Sequence, residues 1–158
     1  IAGDGEKYRP ELLEEAVTDA ARSIEQIMLY NDRSPYTVAL VVPAREALLR
    51  WLRDRGLTAA SAEGQEAALR LIEAEIAAFR EGGKHAGLFP ARWLPSAVAV
   101  LGEGFTEQNR FLNSTMKMVR GRITAHYRAR LDGLFTAEDR DIVNARNRTI
   151  VSRLEDGP

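Results

Sequence analysis

Two short runs, Ile24 to Tyr30 and Tyr36 to Val42, are rich in β-branched and aromatic residues and are separated by Asn31-Asp32-Arg33-Ser34-Pro35, a cluster of turn formers. Runs of this length and composition read as strands, and the turn cluster predicts an antiparallel hairpin. A lone hairpin is marginal in water, so the flanking sequence has to cover it. On the N-terminal side, Pro10 suits a first helical position, Glu11, Glu14 and Glu15 follow it, and Leu13, Ala16, Val17 and Ala20 recur on one face, which predicts a helix over 10–22. On the other side Pro43 is expected to open a second helix, with Ala44, Ala47, Leu48, Trp51 and Leu52 in helical register until Gly56. A third helix is expected over 62–80, carrying Leu69, Ile72, Ile76 and Phe79 and stopped at Gly82-Gly83.

Leu94 to Leu101 has strand length and could add to the hairpin, and Phe105 to Met116 reads as irregular or extended. Arg120 to Leu134 is expected to be helical, with Ile123, Tyr127, Leu131 and Leu134 as its apolar stripe. Thr136 and Asp139 resemble a capping box leading into a last helix with Val143, Arg146, Ile150 and Leu154. The expected fold class is therefore α+β, a small mostly antiparallel sheet (the hairpin plus a further strand) covered by helices.

The 158 residues suffice for one domain. No cysteine is present, which excludes a disulfide framework, a thiolate zinc site and a cysteine nucleophile. The apolar runs are far shorter than a bilayer span requires, and the first five residues show neither an initiator methionine nor a signal pattern, so the chain is expected to be cut from a longer one. The net charge of −1 gives no overall reason to expect nucleic acid as partner. The charges are nevertheless sorted: residues 1–20 hold six acids against two bases, whereas Gln108 to Leu131 holds Arg110, Lys117, Arg120, Arg122, Arg128 and Arg130 and no acid. Such a run either solvates a helix face or attracts phosphates and carboxylates.

Three places depart from generic packing. Gly3-Asp4-Gly5-Glu6 lies just ahead of the helix that Pro10 opens, and its glycines allow positive φ and close approach to a ligand. Asn113-Ser114-Thr115-Met116-Lys117 places one lysine after small polar residues and before a helix, where an ammonium group could meet an anion. His85 and His126 have no second ligand at metal spacing and read as structural or exposed. No nucleophile elbow, P-loop or telling carboxylate pair is present, so if the chain were an enzyme its site would rest almost on one lysine. That scarcity points to a part of an enzyme.

At these residues the sequence resembles the C-terminal domain of the AMP-forming acyl-CoA synthetases, in their long-chain fatty acid–CoA ligase branch. The similarity runs through Gly5-Glu6-Lys7-Tyr8-Arg9-Pro10 with Leu13-Glu14, through Ile24-Glu25-Gln26-Ile27-Met28, through Val38 to Pro43, and through Leu112-Asn113-Ser114-Thr115-Met116-Lys117-Met118-Val119-Arg120 with His126-Tyr127. Ser114 stands where the family has proline, and Val119 where it has a second basic residue. The long segment from 44 to 80 resembles the long-chain branch, since shorter members lack such an insertion.

The resemblance implies a mobile C-terminal domain over residues 1–135, with 136–158 as an extra C-terminal helix for which it implies no role. It implies Lys117 as the catalytic lysine of adenylation, and Gly3, Asp4, Gly5 and Glu6 as the loop beside the pantetheine channel for thioester formation. It further implies ATP, Mg2+ and CoA in the full-length enzyme, with ATP and Mg2+ held mainly by an N-terminal adenylation domain preceding Ile1. The isolated domain would then be inactive, fatty acid and CoA would be the substrates, and no metal ligand or nucleic acid contact is expected in this chain. The parent enzyme would be cytoplasmic, with peripheral membrane association as a further expectation. The alternatives are another adenylate-forming enzyme (aryl, medium-chain or polyketide-type) and a non-enzymatic anion-binding module using the 108–131 stretch.

Overall fold

Strand β2 (Val38–Pro43) is buried along its whole length, and the molecule is organised around it. The computed structural model describes residues 7–156. In it β2 lies between β1 (Ile24–Tyr30), which it pairs antiparallel, and β3 (Ala97–Val100), which it pairs parallel. Alternation along β2 divides the interior into two clusters. Ala39 and Val41 face one, with Leu48, Leu52, Leu69, Ile72 and Ile76; Val38, Leu40 and Val42 face the other, with Phe105, Phe111, Ile123, Leu131 and Leu134. Ile24 and Ile27 reach the same cluster despite their odd spacing because the β1–β2 register shifts between Ile24 and Gln26.

The hairpin stands as the sequence predicts. The third strand also forms, in parallel orientation: between β2 and β3 the chain passes through α2 (Arg45–Asp54) and α3 (Ala62–Ala77), the kind of long crossover that parallel neighbours need. Helix α1 (Pro10–Ala20) packs against β1, opens on Pro10 and buries Leu13, Glu14 and Val17. Helix α3 is fastened to the start of β1 by Glu75, whose carboxylate accepts from the Arg22 and Ser23 backbone N–H groups at 2.7 and 3.0 Å and from the Ser23 hydroxyl. Among the described residues no helix is long and apolar enough to cross a membrane.

Three local expectations are corrected. Pro43 does not open a helix; it closes β2 opposite Ile24, beyond the end of the β3 pairing, where its missing N–H costs no ladder bond, and Ala44 donates to the Ser23 carbonyl instead. The single helix expected over 120–134 is two, α4 (Arg120–His126) and α5 (Arg128–Gly133), because Tyr127 departs from helical geometry (φ −101°, ψ 22°) while its ring packs on Phe111. Thr136 does not cap the last helix: its hydroxyl donates back to the Gly133 carbonyl, and only a short 3-10 turn follows. The last helix is α6 (Ala145–Ser152), capped by Asn144, whose side-chain oxygen accepts from the Asn147 N–H at 2.9 Å.

The packing of α3 sets one expectation for stability. A Cβ added at Gly64 would lie 1.7 Å from the Thr58 carbonyl oxygen, and the obstacle is backbone. Gly64→Ala should therefore destabilise the fold by roughly 1–3 kcal/mol despite alanine's higher helix propensity, measurable by urea denaturation.

Candidate functional site

Lys117 sits on a tight hairpin built by one side chain. The Asn113 side-chain oxygen accepts from the Thr115 N–H at 2.9 Å, the Thr115 hydroxyl at 2.8 Å and the Lys117 N–H at 3.0 Å, while the Asn113 N–H donates to the Lys117 carbonyl at 2.9 Å. Asparagine favours this arrangement because its short amide reaches backbone N–H groups a few positions ahead. The turn passes through Met116 in the left-handed region (φ 64°), its side chain 62% exposed. Leu112 and Met118 bridge the two arms, and the Val119 N–H donates to the Phe111 carbonyl at 2.8 Å. Phe111 and Leu112 root the hairpin in the second core cluster. The tip is thus held rigidly from below while Lys117 is exposed. Asn113→Ala should leave the core intact but speed amide hydrogen exchange at Thr115 and Lys117 by roughly five-fold, since each hydrogen bond is worth about 1 kcal/mol.

Between this hairpin, α1 and β1 lies an open cleft of about 430 Å³. Lys117 and Arg120 line it on one side, Glu11, Glu15 and Glu25 on another, and Gln26 and Phe105 form part of its floor. Gln26 and Phe105 hold each other reciprocally, the Phe105 N–H donating to the Gln26 side-chain oxygen at 2.7 Å and the Gln26 amide donating to the Phe105 carbonyl at 3.0 Å. A backbone N–H at the start of α1 holds the Glu11 carboxyl below its ordinary range. The lining sets two cations, Lys117 and Arg120, among four carboxylates and the Thr18 hydroxyl; Arg120 is committed to Glu14, which leaves the Lys117 ammonium as the cation able to meet an anion there.

Under the cleft is an ion pair. Glu14, only 5% exposed, accepts from both terminal nitrogens of the Arg120 guanidinium, at 2.9 and 2.5 Å, and from the Leu29 N–H at 2.7 Å. These bonds to Glu14 raise the Arg120 pKa above its ordinary value. Beside them burial, and then the Glu14 carboxylate, push the Tyr8 phenol up to about 12. The Tyr8 ring meets Trp93 edge-on at 5.4 Å, and neither its hydroxyl nor the Trp93 indole N–H has a hydrogen-bond partner among the described residues.

Of the residues singled out from the sequence, Lys117 lies at the cleft, whereas Gly3, Asp4, Gly5 and Glu6 lie outside the described residues. The basic run does not form one face: Arg120 is turned inward to Glu14 and Arg130 to Asp139 and Asn147, while Arg128 stays at the surface against the Tyr30 hydroxyl and Asp132. His85 stacks on Phe79 at 4.8 Å, and His126 is exposed against Phe111 and Tyr127. Among the described residues no group of three or more His, Cys, Asp or Glu side chains could hold a metal ion. Sequence reasoning missed Asn113 as the organiser of the hairpin, although Asn-Ser-Thr is itself a turn signal; it also missed Arg120, concealed among the other bases.

No protein-family model matches the chain, and no curated protein matches it. Solved structures do. The chain is similar to the adenylation domain of a carboxylate reductase from Mycobacterium chelonae, at 26% identity and a TM-score of 0.65, over 84% of this chain and 18% of that one. It is also similar to the A domain of a carboxylic acid reductase from Segniliparus rugosus, solved with AMP and a co-purified carboxylic acid, at 22% identity and a TM-score of 0.59, over 84% of this chain and 18% of that one. The A-PCP didomain of a reductase from the same organism, solved with AMP, matches at 24% identity and a TM-score of 0.58, over 84% of this chain and 16% of that one. The chain therefore spans less than a fifth of each, and its fold is that of part of an adenylation domain.

Proposed function

We propose that this chain is the mobile part of an ATP-dependent, adenylate-forming enzyme and that Lys117 is its adenylation lysine. The observation that carries the reading is the coincidence of a rigid, lysine-bearing hairpin at an open cleft with a fold shared with adenylation domains. In the first half-reaction a substrate carboxylate oxygen forms a bond to the α-phosphorus of ATP, and the bond from that phosphorus to pyrophosphate breaks. An ammonium held between the two anions lowers their repulsion and stabilises the charge that builds on the phosphoryl oxygens. In the second, a thiol sulfur bonds to the acyl carbon and AMP leaves. The Gly3–Glu6 segment is assigned to this second step, and rotation of the small domain between steps exchanges one for the other. On the sequence resemblance, Mg2+ is assigned mainly to the larger adenylation domain of the same enzyme. Residues 136–158 are proposed as an accessory segment that completes the packing of this domain.

The finer reading is a long-chain fatty acid–CoA ligase, in which the thiol is CoA; it rests on the sequence resemblance and on the length of the α2–α3 segment. A second reading is favoured by the solved relatives: the enzyme is a carboxylic acid reductase, in which the thiol belongs to a carrier domain like that of the A-PCP didomain. ATP–pyrophosphate exchange by the full-length protein across fatty, aryl and medium-chain acids tests the common part, and failure with every acid would refute it. Release of an acyl-CoA on adding CoA then selects the ligase, and acyl transfer to a carrier domain selects the reductase.

A further inference from the structure

We infer that Glu14 and Arg120 are positioning residues for Lys117, a clasp that sets where the hairpin delivers its ammonium; the inference rests on Lys117 serving adenylation. Arg120 follows Lys117 by three residues and is the first residue of α4, immediately after the Val119–Phe111 hydrogen bond that closes the hairpin. Its guanidinium fork grips a carboxylate 106 residues away in sequence, and that same carboxylate is fixed to the edge strand β1 by the Leu29 N–H. The hairpin is thereby tied to α1 and β1 together, the two elements that form the opposite side of the cleft. The Lys117 side chain has no hydrogen bond or ion pair among the described residues, so its placement depends on how firmly the hairpin's base is held.

Stability alone is a poor account of the pair. Desolvating two charges offsets much of their attraction, and buried pairs replaced by apolar residues are often no less stable. What a bidentate fork supplies beyond a hydrophobic contact is a fixed distance and angle. Misplacement by about 1 Å of a group that orients reactants costs on the order of a hundred-fold in rate, and the clasp is joined to Lys117 by only the short hairpin arm through Met118 and Val119.

The test uses the full-length protein and the two half-reactions measured separately. Arg120→Lys keeps the charge and loses the fork; Glu14→Gln keeps the side-chain length and loses the charge. Each should lower the adenylation kcat by roughly ten- to a hundred-fold, with KM for ATP and acid and the thioester step from supplied acyl-adenylate changed by less than about three-fold. Combined with Lys117→Ala, Arg120→Lys should add less than about a three-fold further loss, because a misplaced lysine that is already absent cannot be missed twice. Full adenylation in both variants, equal loss in both half-reactions, or a loss that multiplies with that of Lys117→Ala would each overturn the clasp. Should one variant fail to fold, as judged by its melting curve, the other carries the comparison. A Lys117→Ala enzyme with undiminished adenylation would instead strike the functional reading itself.

Discussion

Replacing Lys117 by alanine in the full-length protein should slow acyl-adenylate formation by roughly a hundred- to a thousand-fold, the loss seen when a single stabiliser of developing charge is removed. Thioester formation from supplied acyl-adenylate should change by less than about three-fold, because the role proposed for the lysine lies in the phosphoryl step alone. The melting temperature should stay within about 1 °C: Lys117 is exposed, its side chain has no partner among the described residues, and surface substitutions of that kind are nearly neutral. Lys117→Arg should recover only part of the rate. It restores the charge, but a planar fork replaces a compact ammonium at the end of a hairpin whose reach is fixed by Asn113. Stopped assays of pyrophosphate exchange and of thioester appearance separate these outcomes, and matched losses in both half-reactions would refute the role.

Asn147→Leu should cost about 3–5 kcal/mol of folding stability, the largest effect expected of any single substitution here. Asn147 is wholly buried on α6, and its side chain is fully committed. Its oxygen accepts from the Val100 N–H at 2.9 Å and from Arg130 at 2.8 Å; its amide donates to the Val98 and Ile142 carbonyls, both at 2.9 Å. Leucine fits the volume but leaves two backbone groups of β3 unpaired in the interior, and each buried orphan costs about 1–3 kcal/mol. It also removes one of the two partners of Arg130, whose guanidinium burial already pulls below its ordinary pKa, leaving Asp139 to hold it. Urea unfolding of the chain within the full-length protein, followed by a probe on α6, should report the loss; a change under 1 kcal/mol would show that α6 does not secure β3.

Hairpin and helices were legible because each is written in a local period. Alternating and β-branched residues at 24–30 and 36–42, and apolar residues three and four apart after Pro10 and between 62 and 76, leave little choice of backbone. Lys117 was singled out through a resemblance carried by short motifs in order, and the structure places it at the cleft. Misreadings arose where a local signal had two outlets. Pro43 suits a helix start and a strand end alike, and the β3 pairing had already stopped short of it. Thr136 offers a hydroxyl for capping, but with Asp139 drawn to Arg130 the hydroxyl turned back on Gly133.

By itself, then, the sequence determined most of the element types and the apolar faces, and it singled out Lys117 by resemblance. Tertiary structure alone decided the parallel seating of β3, the reciprocal grip of Gln26 on Phe105, the anchoring of α6 through Asn147 and the gripping of Arg120 by Glu14. The physical reason is range. Hydrogen bonds and ion pairs act over about 3 Å and carry no mark in sequence of which of several acids or bases will meet. Six bases between Arg110 and Arg130 look alike on paper, and only the fold brings one of them, at the start of α4, to the single carboxylate buried on α1.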